Sequence, residues 1–206
     1  RRAPAARLAD HALEENDAIL KMAADDDNGA WRRNGLWSRS WILADMKSLS
    51  EAARVAEELR QAILAGPIKK DIRRYHHVRG KIELENKEYS KAIQDLEEAL
   101  VLEPDLDEAK GAYYFEELGL AHFRAGDLDK ARRSFEKVLA STYGRLYFGD
   151  CYARSHYMLG RILEQKGDQE EARKQYSQFL ELWKDADPGQ PEVEDAKKRL
   201  AGLKGN

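Results

Sequence analysis

The chain has 206 residues, 42% hydrophobic and 35% charged at a mean hydropathy of -0.75, so it holds enough apolar material for a core and does not read as a disordered tail. Lys+Arg 35 against Asp+Glu 38 leaves a net charge of -3, which removes the basic field of a dedicated nucleic-acid binder. One cysteine, Cys151, rules out an internal disulfide and a multi-thiolate metal site, and no run of about eighteen apolar residues offers a membrane span. The opening Arg1-Arg2 reads as the start of a segment cut from a longer chain.

The first predicted element, residues 5–27, carries Leu8, Ala12, Ile19 and Met22 at helical spacing. Asp25-Asp26-Asp27 before Asn28-Gly29 reads as its end and a loop. Residues 33–66 follow as a helix pair built on Leu36, Ser40, Leu43, Ala52 and Ala56, with Ser48 and Glu51 at capping-box spacing. The basic run Lys69, Lys70, Arg73, Arg74 is broken by Asp71 and reads as a solvated helix entry. Residues 73–106 repeat the pair with Gly80, Ala92, Leu96, Ala99 and Pro104. There Arg79 and Glu83 stand where large apolar residues are expected, so the first helix is predicted to turn by about one residue and bury Tyr75, Val78 and Ile82.

Residues 112–145 step through Tyr113, Phe115, Leu118, Gly119, His122 and Phe123, then Leu128, Ala131, Phe135 and Val138, with Gly126-Asp127 between. Residues 153–186 do the same with Leu159, Gly160, Leu163, Ala172, Tyr176 and Phe179 around Gly167-Asp168. Asn86-Lys87 is the matching turn signal in the second pair. Residues 191–204 open at Pro191 and carry one apolar stripe, Val193, Ala196, Leu200 and Leu203. Their other side holds Glu192, Glu194, Asp195, Lys197, Lys198 and Arg199, as a terminal cap requires. None of the five prolines falls inside a predicted helix core.

Ser40, Gly80, Gly119 and Gly160 each stand twelve positions before Ala52, Ala92, Ala131 and Ala172, and the unit recurs at 40, 39 and 41 residues. Paired antiparallel helices come within about 8–10 Å only where small side chains meet, so Gly119 against Ala131 and Gly160 against Ala172 are the predicted crossings. A lone hairpin leaves its outer apolar face wet, so these units are stable only when stacked.

The pattern resembles the tetratricopeptide repeat. Phe115, Leu118-Gly119, Ala131 and Phe135 carry it best, then Leu159-Gly160, Leu163, Ala172, Tyr176 and Phe179. The resemblance implies an all-α solenoid of stacked antiparallel hairpins over residues 1–206: a truncated leading helix, four repeats and a capping helix. It also implies that the first helices line a binding groove. Counted from the small residue, the groove positions are Asn34, Trp37, Trp41, Ala44 and Asp45, then Arg74, His77, Lys81, Leu84 and Glu85. Tyr113, Glu116, Leu120, Phe123 and Arg124 follow in the third repeat, and Arg154, Tyr157, Arg161, Glu164 and Gln165 in the fourth. Twelve of these are the candidate partner-binding residues: Trp37, Trp41, Arg74, His77, Lys81, Tyr113, Glu116, Phe123, Arg124, Arg154, Tyr157 and Arg161. Aromatics beside arginines are the residue types of interaction hot spots. Packing between repeats is the other reading of Trp37, Trp41 and Phe123. Members that hold a peptide's terminal carboxylate use Lys and Asn where this chain has Trp37 and Trp41, which disfavours that ligand.

No Gly-x-Ser-x-Gly, phosphate-binding loop or His-Glu-x-x-His occurs, so no enzyme activity, cofactor or metal is expected. Of His11, His76, His77, His122 and His156, the last two fall at inward positions, and Cys151, five residues before His156, reads as a buried thiol. A second candidate surface is 141–151, where Tyr143, Gly144, Tyr147, Phe148, Gly149 and Asp150 separate two repeats. The stretches 144–150 and 182–188 are similar to C-terminal repeat regions of larger bacterial signalling proteins. The expected function is therefore a cytoplasmic protein-interaction scaffold that binds a protein or peptide, with no direct nucleic-acid binding and no membrane segment in this stretch of chain. Homodimerisation through the leading helix, or service as the non-catalytic part of an enzyme with an N-terminal catalytic domain, are the alternatives.

Overall fold

Four times along the chain a helix stops on a left-handed residue and the next residue starts another helix. Those residues are Lys47 (φ 61), Lys87 (φ 64), Gly126 (φ 86) and Gly167 (φ 83). At each, two backbone hydrogen bonds close a Schellman motif: Ser48 N to Leu43 O and Lys47 N to Ala44 O at the first turn, Asp168 N to Leu163 O and Gly167 N to Glu164 O at the last. The following residue caps the second helix. Its carbonyl accepts from the signature alanine, from Ala52 N at Ser48 through Ala172 N at Asp168. Asp127 and Asp168 add a side-chain cap, accepting from Lys130 N and Glu171 N. Ser48 occupies the N-cap position but its hydroxyl makes no capping bond, so the expected capping box is absent.

The computed structural model describes residues 4–23, 29–102, 111–141, 145–146, 148–185 and 189–203, with side chains from residue 10 onward. Among the described residues there are ten α-helices and no strand. They are α1 (Pro4–Met22), α2 (Ala30–Asp45), α3 (Leu49–Ala65), α4 (Ile72–Glu85), α5 (Tyr89–Val101), α6 (Gly111–Ala125), α7 (Leu128–Ala140), α8 (Gly149–Gln165), α9 (Gln169–Leu182) and α10 (Pro191–Gly202). A 3-10 turn, Lys69–Asp71, leads into α4. Pairs α2/α3, α4/α5, α6/α7 and α8/α9 are the hairpins of an all-α helical repeat. Pro104 and Pro188 lie outside the described residues, as do Asp25 to Asn28, while Pro4 and Pro191 begin helices, where a missing N–H costs nothing.

The chain divides into two compact units, Arg1–Pro104 and Asp105–Asn206. In the first, Leu36, Leu43, Val55, Leu59, Ile63, Val78 and Ile82 form one core. α1 closes its end by laying Leu20 over Gly35, while Asn16 Nδ2 donates to the Gly35 carbonyl at 3.0 Å. In the second, Phe135, Leu159, Ile162, Tyr176, Phe179 and Ala196 share a core that α10 covers.

At the crossings a further side chain comes nearer than the alanine. What meets each glycine is the residue four beyond the alanine: a Cβ on Gly80, Gly119 or Gly160 would lie 2.6 Å from Leu96, 2.8 Å from Phe135 and 2.6 Å from Tyr176. In the first hairpin that residue is Ala56, which leaves room for Ser40, whose Oγ donates to the Ala52 carbonyl at 2.8 Å. Gly80 keeps its crossing position, so α4 is not turned: Val78 and Ile82 are buried but Tyr75 only half so. The polar residues of α4 are answered as a set, Arg79 bonding Glu83 at 3.1 Å and Asp95 at 3.0 Å while His76 Nδ1 lies 2.7 Å from Asp95.

Candidate functional site

The exposed turns of one first helix face those of the next, and the predicted site residues meet there in pairs roughly one repeat apart. In the first unit Trp37 Nε1–H donates to His77 Nδ1 at 3.3 Å, Arg74 bonds the Asn34 side chain, and Lys81 Nζ sits 5.1 Å over the Trp41 ring and 3.0 Å from Asp45. These contacts are separated by 40 residues or nearly so, because equivalent positions of α2 and α4 lie side by side. His77 has no exposed surface and Lys81 only 6%. Burial, and then the Lys81 charge, pull the His77 imidazole down to about 3, so at neutral pH it is uncharged and accepts from Trp37 through Nδ1. His77 and Lys81 are thus internal supports for Trp37 and Trp41, which stay half-buried at the surface.

In the second unit Arg154 forks onto Glu116, Nε to Oε1 at 2.6 Å and Nη2 to Oε2 at 3.1 Å, and reaches Asp150 at 3.2 Å. Burial works against the Arg154 charge, but Glu116 outweighs it and holds the guanidinium protonated. Glu116 is buried at 4% and is spent on this pair. Tyr113 stacks edge-on against Phe148 with centroids 4.5 Å apart. Burial, with the nearby Asp150 charge, raises its hydroxyl to about 12. Tyr157 is buried at 7% and donates to Asp195 at 2.7 Å. Arg161 lies 4.9 Å from the Phe123 centroid and 5.7 Å from that of Tyr157. Its Nε has no hydrogen-bond partner among the described residues, and its charge, without a direct ion pair there, helps lower the pKa of Asp195. Arg124, at the end of α6, is exposed.

Two partners in this row escape the sequence reading. Asp195 and Arg199, expected on the wet side of the last helix, are both half-buried: Arg199 bonds Asp195 at 2.5 Å and Glu164 at 3.0 Å. The signal is present in the spacing, since Asp195 stands 38 residues after Tyr157 as Arg154 stands 38 after Glu116.

The basic run before α4 is largely used internally. Arg33, 2% exposed, donates from Nε to Asp71 Oδ2 at 3.0 Å, and Arg73 reaches the other oxygen at 3.5 Å. Removing one member of such a buried pair costs about 3–5 kcal/mol. Lys69 and Lys70 stay exposed. Of the second candidate surface, Tyr143, Gly144 and Tyr147 lie outside the described residues, and Phe148 is engaged with Tyr113. Cys151 is fully buried, and burial followed by the Glu116 charge pushes its thiol far up, which favours the protonated thiol over the thiolate. His156 turns away from it, with Nδ1 2.7 Å from Gln175 Oε1. Among the described residues no three His, Cys, Asp or Glu side chains gather as a metal site, and no helix is long and apolar enough to cross a membrane.

Comparison with known proteins agrees with this architecture. Two profiles, each described as tetratricopeptide repeat, match residues 74–106 and 111–185. Similar solved structures include BtubC (BKLC) from P. vanneervenii, 12% identical with a TM-score of 0.71 over 98% of this chain and 84% of that one. A thermophilic TPR protein from Thermus thermophilus, TTC0263, is 18% identical, with a TM-score of 0.61 over 97% and 92%. MamA is 22% identical, with a TM-score of 0.54 over 92% and 91%. These likenesses establish the fold alone. No curated protein sequence matches the chain.

Proposed function

We propose that this chain, a tetratricopeptide-repeat protein over residues 74–106 and 111–185, is a non-catalytic scaffold that holds a polypeptide against the first helices of its second unit. Repeats of this kind generally mediate protein–protein interaction. The supporting observation is Arg161. Its neighbours Arg154 and Arg199 each hold two carboxylates directly, whereas Arg161 is stacked on Phe123 and Tyr157 with no direct ion pair among the described residues and acts on Asp195 only at longer range. A cation fixed in place by aromatic faces and half-buried, with no direct ion pair among the described residues, is organised before its ligand arrives. Phe123 supplies apolar area beside it, and Arg124 adds charge at the helix end.

The experiment is a selection of peptides from a random display library by the purified chain. The enriched sequences are expected to contain Asp or Glu, and Arg161→Glu is expected to abolish their binding with helicity unchanged. Peptides that bind Arg161→Glu as well as the parent would remove this face as the site. Service as the repeat region of a larger bacterial signalling protein is the wider setting we propose. It is supported by the resemblance of 144–150 and 182–188, and the domain encoded upstream in the parent reading frame tests it.

A further inference from the structure

In the second unit each inward row is answered by one residue from the helix that follows, and the sign of that residue changes along the row. Between α6 and α8 it is a cation: Arg154 forks onto Glu116, 38 residues earlier. Between α8 and α10 it is an anion: Asp195 stands 38 residues after Tyr157 and accepts its hydroxyl at 2.7 Å. Tyr157 is also a ring on which Arg161 rests, 5.7 Å from its centroid. The guanidinium therefore lies over the ring and the carboxylate at its hydroxyl edge, with no direct ion pair between them. Burial raises the Asp195 carboxyl, but hydrogen bonds from Arg199 and Tyr157 and the charges of Arg199 and Arg161 outweigh it and hold it below its ordinary value.

Asp195 is held there at several points. Its Oδ2 also accepts from Arg199 Nε at 2.5 Å, Arg199 Nη1 donates to Glu164 Oε2 at 3.0 Å, and that oxygen accepts from the Tyr176 hydroxyl at 2.7 Å. The Tyr176 ring closes the circuit, 6.3 Å from that of Tyr157 and filling the space over Gly160. Tyr157 and Glu164 stand four before and three after Arg161, so the circuit brackets the helical turn that presents it. Arg161 and Arg199 are thus balanced by Asp195 and Glu164, and an acidic ligand adds a negative charge to a cluster that is neutral without it. The Asp195 side chain keeps 35% of its surface exposed, so its field reaches a group bound at Arg161.

We propose that Asp195 determines the charge selectivity of this face: it opposes an anion at Arg161 in proportion to the anion's charge, so the face takes the single carboxylates of Asp and Glu side chains rather than phosphorylated side chains. The inference rests on the reading of Arg161 as the binding site given above. A side-chain carboxylate brings one negative charge, a phosphoserine about 1.5 to 2 at neutral pH. At a partly exposed site and low salt, each unit of ligand charge set against a carboxylate several ångströms away weakens binding by roughly three- to tenfold. α10 therefore contributes a residue that discriminates among ligands as well as covering the core with Ala196.

The test uses a fluorescein-labelled peptide from the enriched set that carries a single Glu, together with the same peptide bearing Gln or phosphoserine in its place. Asp195→Asn keeps an oxygen for the Tyr157 hydroxyl and removes the charge. By anisotropy at low salt it is expected to leave the Gln peptide unchanged, tighten the Glu peptide roughly three- to tenfold and tighten the phosphoserine peptide by up to the square of that factor. The gains are expected to shrink as salt is added. Glu194→Gln makes the same charge change on the exposed side of α10, where Glu194 pairs with Lys197, and is expected to alter none of the three. The parent chain gives a reading that needs no variant to fold: it is expected to bind the phosphoserine peptide no more tightly than the Glu peptide, and tighter binding there overturns the proposal. Gains from Asp195→Asn that are absent, or equal for all three peptides, overturn it as well while leaving Arg161 as the site. Peptides indifferent to Arg161→Glu instead remove the site itself, and the selectivity of Asp195 with it.

Discussion

His77 shows how far a side chain's role depends on what closes over it. Its imidazole lies between α4 and α2, accepts from Trp37, and has Lys81 one turn away on its own helix. Because burial and Lys81 hold its pKa at about 3, the unfolded chain takes up a proton near pH 6.5 that the folded chain refuses until about pH 3. Stability therefore falls as the pH drops through that window, by at most about 1.4 kcal/mol per pH unit from this residue. His156, also pulled down by burial, acts in the same direction, while Glu83, pushed up by burial, acts against it. Comparing urea denaturation of the parent and His77→Asn between pH 7 and about pH 5 isolates the contribution. The parent is expected to lose more stability than the variant, and parallel pH profiles would show that His77 takes its proton while folded.

At the scale of the element, the hairpin turn is the part of the chain where backbone conformation and sequence agree most closely. Gly126-Asp127 and Gly167-Asp168 announce it, because glycine accepts a positive φ and aspartate caps the next helix. The first two turns use Lys47 and Lys87 instead. A left-handed conformation costs a residue with a Cβ about 1–2 kcal/mol. Lys47→Gly is not a clean probe, since Lys47 also pairs with Glu85. Lys87→Gly is: the side chain is exposed at the turn, and the change is expected to raise stability by about 1 kcal/mol, less the extra freedom glycine gives the unfolded chain. A thermal or urea midpoint that does not rise would mean that the left-handed strain is already relieved. The helices themselves were legible from period and small residues. The order of contact at their crossings was not, because twelve-residue spacing points to the alanine while the side chain four residues further on fills the space over the glycine.

For the whole molecule, stability in a repeat protein is a sum over hairpins and the interfaces between neighbours, so elements with one neighbour open first. Among the described residues α1 rests mainly on α2 and leaves Ile19 and Met22 exposed, whereas α4 is covered by α2, α3 and α5. Amide hydrogen exchange is expected to be fastest in α1 and slowest in α4 and α5 of the first unit. In the second unit, α10 is expected to exchange before α8. Uniform protection across either unit would mean that the unit opens only as a whole. The sequence alone determined the helix pairs, their recurrence and the last two turns, since these follow from local spacing: apolar residues at helical steps, Gly-Asp where α6 and α8 must stop, and a small residue where two helices cross. Tertiary structure decided which of the predicted surface residues remain at the surface. Trp37, Phe123 and Arg161 kept exposed area; His77, Lys81, Glu116 and Tyr157 were enclosed by partners 38 or 40 positions away. Counting along one helix gives the direction of a side chain, but its exposure depends on a neighbouring helix whose lateral register is set by packing and loop length rather than by any residue nearby in sequence.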